Sequence, residues 1–177
     1  MPRFEIDLNP LEHVTVDAIG KPGARVFYIQ GWRKSDPAPV TIIIEKVQLQ
    51  SLALGIDQML AELAKQKPEL TVAVAELEED KMKISPPVDP LFRAGEMGLG
   101  YDADHDMIVV MVREVLMEGQ EAEEASEVRF WCTRSQIRLL ADWSKEVIKA
   151  GRPICPQCGQ PMEPEGHFCP KKNGHLH

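Results

Sequence analysis

Residues 40–67 read Val40-Thr41-Ile42-Ile43-Ile44-Glu45-Lys46-Val47-Gln48-Leu49-Gln50-Ser51-Leu52-Ala53-Leu54-Gly55-Ile56-Asp57-Gln58-Met59-Leu60-Ala61-Glu62-Leu63-Ala64-Lys65-Gln66-Lys67, and a change of hydrophobic period inside them decides the fold class. The first five residues are all β-branched, as in a strand with little freedom at χ1. From Leu49 the apolar residues recur at three and four positions, through Leu52, Ile56, Met59 or Leu60, and Leu63. That spacing is the stripe of an amphipathic helix, which ends near Lys67-Pro68. A strand feeding directly into such a helix needs an apolar sheet face for the helix to cover.

The same junction returns 88 residues later without gaps: Val40 falls on Val128, Ile42 on Phe130, Gln48 on Gln136, Leu49 on Ile137, Leu52 on Leu140, Ala53 on Ala141 and Met59-Leu60 on Val147-Ile148. Thr133 with Gln136 has capping-box form, and Ile137, Leu140, Ala141, Ser144, Val147 and Ile148 trace a helical face that stops before Gly151-Arg152-Pro153. Upstream of the first junction, residues 3–8 alternate with period two, His13 to Ile19 and Arg25 to Trp32 flank the turn Gly20-Lys21-Pro22-Gly23, and Ser35 to Pro39 breaks the chain. Upstream of the second, Phe92 to Tyr101 and Met107 to Val115 flank the polar turn at Asp102-Ala103-Asp104-His105-Asp106.

The expected fold is therefore α+β, an antiparallel sheet built from two similar strand-strand-strand-helix halves, residues 1–67 and 91–150. An internal duplication explains the match, and so does the tendency of any strand-then-helix pair to align its apolar positions. Residues 68–90, with Ser85-Pro86-Pro87-Val88-Asp89-Pro90, read as a connector outside the core.

The 177 residues carry a net charge of −8, with 44% hydrophobic residues and four cysteines. Residues 1–150 hold 17 basic and 26 acidic side chains, whereas residues 151–177 hold three and two. An acidic body without clustered Lys and Arg argues against a general nucleic-acid or anionic-membrane partner, leaving nucleic acid only the tail. No run reaches the roughly 18 apolar residues of a membrane helix. The start, Met1-Pro2-Arg3-Phe4-Glu5, lacks a signal-peptide pattern, so a cytoplasmic protein is expected. The glutamates Glu114, Glu118, Glu121, Glu123, Glu124 and Glu127 read as a solvated loop rather than a docking site for a basic partner.

Three of the four cysteines fall in residues 151–177, which form a separate zinc-ribbon-like tail on this reading. Clustered cysteines favour a metal site over a disulfide scaffold. Cys155-Pro156-Gln157-Cys158-Gly159 is a knuckle: two thiolates three residues apart grip one ion, and the glycine lets the backbone curl its amides toward the sulfurs. Cys169 and one histidine complete the set. His167 stands two residues before Cys169, so both point to one side of an extended segment; His175 would close a looser loop through Asn173-Gly174. The preferred ligands are Cys155, Cys158, His167 and Cys169 around one structural Zn2+, with no open position for water or substrate.

The run Cys155-Pro-Gln-Cys-Gly-Gln-Pro-Met-Glu-Pro-Glu-Gly-His-Phe-Cys-Pro-Lys-Lys-Asn-Gly174 closely resembles the C-terminal signature of a bacterial, mainly actinobacterial, family of conserved hypothetical proteins classed as a domain of unknown function. The likeness extends to Gly20-Lys-Pro-Gly23, Ile44-Glu-Lys46, Phe92-Arg-Ala-Gly95, Met97-Gly-Leu-Gly-Tyr-Asp102 and Ala150-Gly-Arg-Pro153. The family's signature often has an aromatic residue where this chain has His175, which implies His167 as the ligand. Cys132 and a longer acidic insertion near residues 117–127 depart from the pattern. The resemblance implies no activity.

No constellation for catalysis stands out. Gly-x-Ser-x-Gly and phosphate-loop motifs are absent from the sequence. Asp102-x-Asp104-x-Asp106 begins like a calcium loop, but Met107 and Arg113 stand where glycine and a bidentate glutamate are required. Cys132 between Trp131 and Thr133 reads as packing, and His13 and His105 as single histidines at strand boundaries. The expectation is a non-catalytic zinc-containing binding or adaptor protein with a protein partner. The alternative is an enzyme or small-ligand protein with a pocket between the halves, where Gln48 and Gln136 or strand-end polar groups would converge.

Overall fold

A computed structural model describes residues 3–70, 76–151, 153–162 and 166–172. Among the described residues seven strands form one sheet: β1 (Glu5–Leu8), β2 (His13–Ile19), β3 (Val26–Trp32), β4 (Val40–Ile44), β5 (Pro90–Asp102), β6 (Met107–Glu114) and β7 (Glu127–Cys132). The helices are α1 (Lys46–Gln66), the short α2 (Glu79–Met82) and α3 (Arg134–Lys149). Strand order is β1-β7-β6-β5-β4-β3-β2.

The α+β expectation holds, but the sheet is mixed rather than antiparallel. Strands β2-β3-β4 and β5-β6-β7 are antiparallel runs, and β4 pairs with β5 in parallel, as β1 does with β7. The physical reason is the length of the connections. Helix α1 carries the chain back along the sheet so that β5 starts in the direction of β4, a return no tight hairpin permits. The two strand-strand-strand-helix runs follow each other as expected, whereas β1 and α2 lie outside that pattern.

Both long helices begin alike. In α1 the Gln48 Oε1 accepts from the Glu45 amide at 2.7 Å, and in α3 the Gln136 Oε1 accepts from the Thr133 amide at 2.9 Å, each closing a capping box. Each glutamine then donates to the other run: Gln48 to the carbonyls of Ala94 and Gly95, Gln136 to that of Leu11. The two helices also share an ionic contact, with Asp57 of α1 accepting from Arg138 at 3.2 Å and Lys145 at 2.7 Å.

The sheet curls on itself. A Cβ added to Gly31 of β3 would stand 2.9 Å from the Phe130 ring of β7. In a flat sheet those strands would lie about four spacings, roughly 19 Å, apart. Phe130, Leu8, Ile29, Ile42, Leu49, Ile56, Ile108, Ile137 and Leu140 are fully buried in one continuous core. Strand β2, the far edge, is covered by α3, whose Trp143 indole donates to the Val16 carbonyl at 2.6 Å.

The described part of residues 68–90 is packed against the body rather than left outside it. Thr15, Gln30 and Thr41 stand side by side on β2, β3 and β4, all fully buried. Gln30 binds Ser85 twice, donating to its carbonyl at 2.9 Å and accepting from its amide at 2.8 Å, and also donates to the Thr41 hydroxyl at 3.0 Å. Thr15 donates to the Met82 carbonyl, Asp17 accepts from the Ile84 amide at 3.0 Å, and Met82 is buried in the core. Polar side chains on a buried strand face thus replace sheet pairing for a segment with few apolar residues. The apolar positions 71–75 of the expected connector lie outside the described residues.

Candidate metal centre

After α3 the chain makes a narrow turn held by its own backbone. The amide of Met162 donates to Pro153, that of Cys155 to Gln160, and that of Gly159 to Cys155, at 2.7, 2.8 and 2.9 Å; Ile154 and Pro161 form an isolated antiparallel bridge. Gly159 has φ +74°, the left-handed region that a side chain disfavours, which is why glycine follows the second cysteine.

The curl aims amides at sulfur. The backbone N–H groups of Cys158 and Gln157 hold the Cys155 thiol down at about 6, since donors toward the sulfur favour the thiolate. At Cys158 the Gln160 amide pulls the same way, but burial and the neighbouring Cys155 and Cys169 thiols outweigh it and raise that group. Concentrating anionic sulfur at one point is unfavourable until a cation balances it.

His167 and Cys169 arrive from the far side as alternate residues, both buried, with Phe168 between them turned outward at 62% exposure. The ligand atoms of Cys155, Cys158, His167 and Cys169 all lie within 4.8 Å of one another. Cys158 Sγ is 3.2 Å from His167 Nε2, and the Cys155 and Cys169 sulfurs are 3.9 Å apart. That sulfur separation is nearly twice a disulfide bond of about 2.05 Å. The four donors can hold a metal ion. His175, the alternative fourth ligand, lies outside the described residues.

The other sequence candidates are occupied by structural work. Cys132 is fully buried, and burial pushes its thiol up to about 12, so it supplies no nucleophile near neutral pH. Asp102 accepts from the Asp104 amide and meets His105 Nδ1 at 2.7 Å; the His105 contact holds the carboxyl below its ordinary value. Asp106 takes the Tyr101 hydroxyl and Arg134, so the Asp102–Asp106 stretch is a turn stitched by its own side chains. His13 packs 4.8 Å from the Trp32 ring, and burial lowers its affinity for a proton.

Gln48 and Gln136 do not converge on one pocket, because Gln48 is spent on β5 and Gln136 on Leu11 in the loop between β1 and β2. Of the acidic loop, Glu127 departs from the solvated expectation. It starts β7, buried, between Arg113 at 3.0 Å and Arg129 at 2.6 Å.

A cavity of about 280 Å³ does lie between the two halves, between α1 and β5, lined by Val47, Gln48, Ser51, Leu52, Gly95, Met97, Gly98 and Leu99, with Gln48 but not Gln136 in its lining.

A family model described as a protein of unknown function (DUF3090) matches residues 6–169, from β1 to the last of the four clustered donors. No curated protein and no solved structure matches the chain.

Proposed function

The chain belongs to the DUF3090 family of proteins of unknown function, and within it we propose a non-catalytic binding or adaptor protein whose C-terminal cluster holds one structural Zn2+ ion. The observation that carries this reading is the approach of three thiols and one imidazole to within 4.8 Å. Tetrahedral zinc with Zn–S bonds of about 2.3 Å sets sulfurs roughly 3.8 Å apart. The 3.9 Å between Cys155 and Cys169 supports that fit. Sulfur-rich donors favour zinc over hard cations such as magnesium or calcium. Four protein ligands leave the ion no open position, so its part is to hold the fold of residues 151–177 rather than to activate water.

The exposure of that segment's apolar residues supports the same role. Ile154 and Phe168 are 59% and 62% exposed, so the segment has little core of its own and metal binding supplies folding free energy. On this reading residues 1–150 form the body and residues 151–177 the zinc-bound tail, with Ile154 and Phe168 as the surface offered to a protein partner. A small-ligand reading has one observation in its favour, the mostly apolar 280 Å³ cavity between α1 and β5.

Metal analysis of the purified chain beside Cys155→Ser, Cys158→Ser, His167→Ala and His175→Ala tests the site. One equivalent of zinc is expected in the wild type and in His175→Ala, and loss in the other three. Full retention in Cys155→Ser would sink the site, and loss in His175→Ala with retention in His167→Ala would move the fourth ligand.

A further inference from the structure

Seven of the eight described arginines are ion-paired with carboxylates: Arg3, Arg33, Arg93, Arg113, Arg129, Arg134 and Arg138. Arg25 is the exception among the described residues, in a chain with eight more acidic than basic groups. Its position is nonetheless fixed. Nη1 donates to the Val147 carbonyl at 2.8 Å in the last turn of α3, and the guanidinium lies 4.8 Å from the centre of the Phe27 ring.

The other terminal nitrogen faces a gap. A Cβ built on Gly151 would stand 2.8 Å from Arg25 Nη2, 3.3 Å from the Ile148 carbonyl oxygen and 3.5 Å from Lys46 Nζ, so both cations converge on one point, beside a single carbonyl that already accepts from the Gly151 amide. Lys46 likewise makes no ion pair among the described residues, because its neighbour Glu45 is engaged with Arg93 at 2.6 Å. Around that point is a cavity of about 230 Å³ whose described lining residues, Gly23, Arg25, Phe27, Lys46, Gly151, Ile154 and Pro161, include no carboxylate. Asp17 acts on Arg25 only from outside this lining.

Two like charges aimed at one partly enclosed point repel each other, and an anion placed between them reverses the sign of the interaction. A guanidinium with one N–H committed to a carbonyl keeps four donors, in a planar fork that suits a phosphoryl group; an ammonium adds a rotatable point charge.

We propose that the cleft formed by Arg25, Lys46 and Gly151 binds the phosphoryl group of a small phosphorylated molecule, with Phe27, Ile154 and Pro161 as its apolar wall. The cavity volume is below the usual range for a whole drug-sized ligand, so it takes the phosphoryl end while the remainder extends outward. Gly151 is the positioning residue, since a side chain there would occupy the point where the oxyanion sits.

The test is an NMR titration of the zinc-loaded full chain with inorganic phosphate, and separately with acetate, following the Arg25 guanidinium and the Gly151 amide. Saturable shifts of both signals with phosphate are expected, weakened about tenfold or more in Arg25→Gln and Lys46→Gln, each of which removes a charge-assisted contact. Gly151→Ala should weaken binding without removing a charge. Lys46 is exposed, so its variant keeps the test valid if Arg25→Gln fails to fold. No saturable shift in the wild type, undiminished binding in Lys46→Gln, or acetate binding as tightly as phosphate would each overturn the proposal. Zinc content measured on the same samples separates this outcome from that of the metal reading, because none of the three substitutions touches a proposed metal ligand.

Discussion

Gly31 and Phe130 meet across the inside of the curled sheet, with His13 O only 3.1 Å from the place where a Gly31 side chain would begin. Because Phe130 is fully buried, its ring has no room to retreat.

Gly31→Ala should therefore destabilise the protein by about 1–3 kcal/mol through overpacking. Urea unfolding of the single variant and of Gly31→Ala combined with Phe130→Leu measures it, the smaller side chain restoring part of the loss. An unchanged midpoint in the single variant would mean that the two strands do not touch.

Gln30→Met keeps the approximate volume at the centre of the buried polar row but leaves both backbone groups of Ser85 without their partner. The expected cost is about 1–3 kcal/mol, the range for stranding buried polar groups. Hydrogen exchange at Ser85 should accelerate more than exchange in the strand core. Equal protection in wild type and variant would count against the segment being held by this side chain.

His105 and His13 should titrate on opposite sides of 6.5, which NMR of the ring signals resolves. Asp102 raises His105 by accepting its hydrogen bond, and burial lowers His13 against smaller opposing effects of Glu12 and the Lys81 backbone. His105 thus contributes stability that is complete below pH 6.5 and lost as pH rises through its folded value. His13 contributes stability that is complete above 6.5 and lost as pH falls through its folded value. Asp102→Asn should return His105 toward 6.5; a His105 titration unaffected by that change would refute the assignment.

What could be read from the sequence follows from what a local pattern encodes. Alternating Val14, Val16 and Ala18 in His13–Ile19, the continuous apolar run of Met107–Glu114, and period three to four after Leu49 and Ile137 are local patterns, so the strands and long helices were legible. The hairpin neighbours β2–β3 and β5–β6 were legible from the turns between them, but the join between the two runs was not, because Ile43 facing Arg93 in parallel leaves no mark on either segment alone. The misreading of residues 76–90 has the same origin. Their attachment runs through backbone groups at Met82, Ile84 and Ser85, whose partners are side chains more than 50 residues away in sequence. The four clustered donors were legible because ligand spacing is local. The walls of the cavities were not, because residues far apart in sequence form them, α1 with β5 in one and Arg25 and Lys46 with Gly151 in the other.

The indole of Trp143 reaches a carbonyl 127 residues earlier, and Asp7 of β1 is bound by Arg129, 122 residues later. During synthesis from the N-terminus, the first two strands thus leave the ribosome long before the residues that cover them. The first run of strands has an open flank until α3 is made, and β1 has no sheet to join until β7 exists. For most of its translation the nascent chain therefore carries Val14, Val16 and Leu8 without their final neighbours, an interval in which apolar strand surface is open to off-pathway contacts.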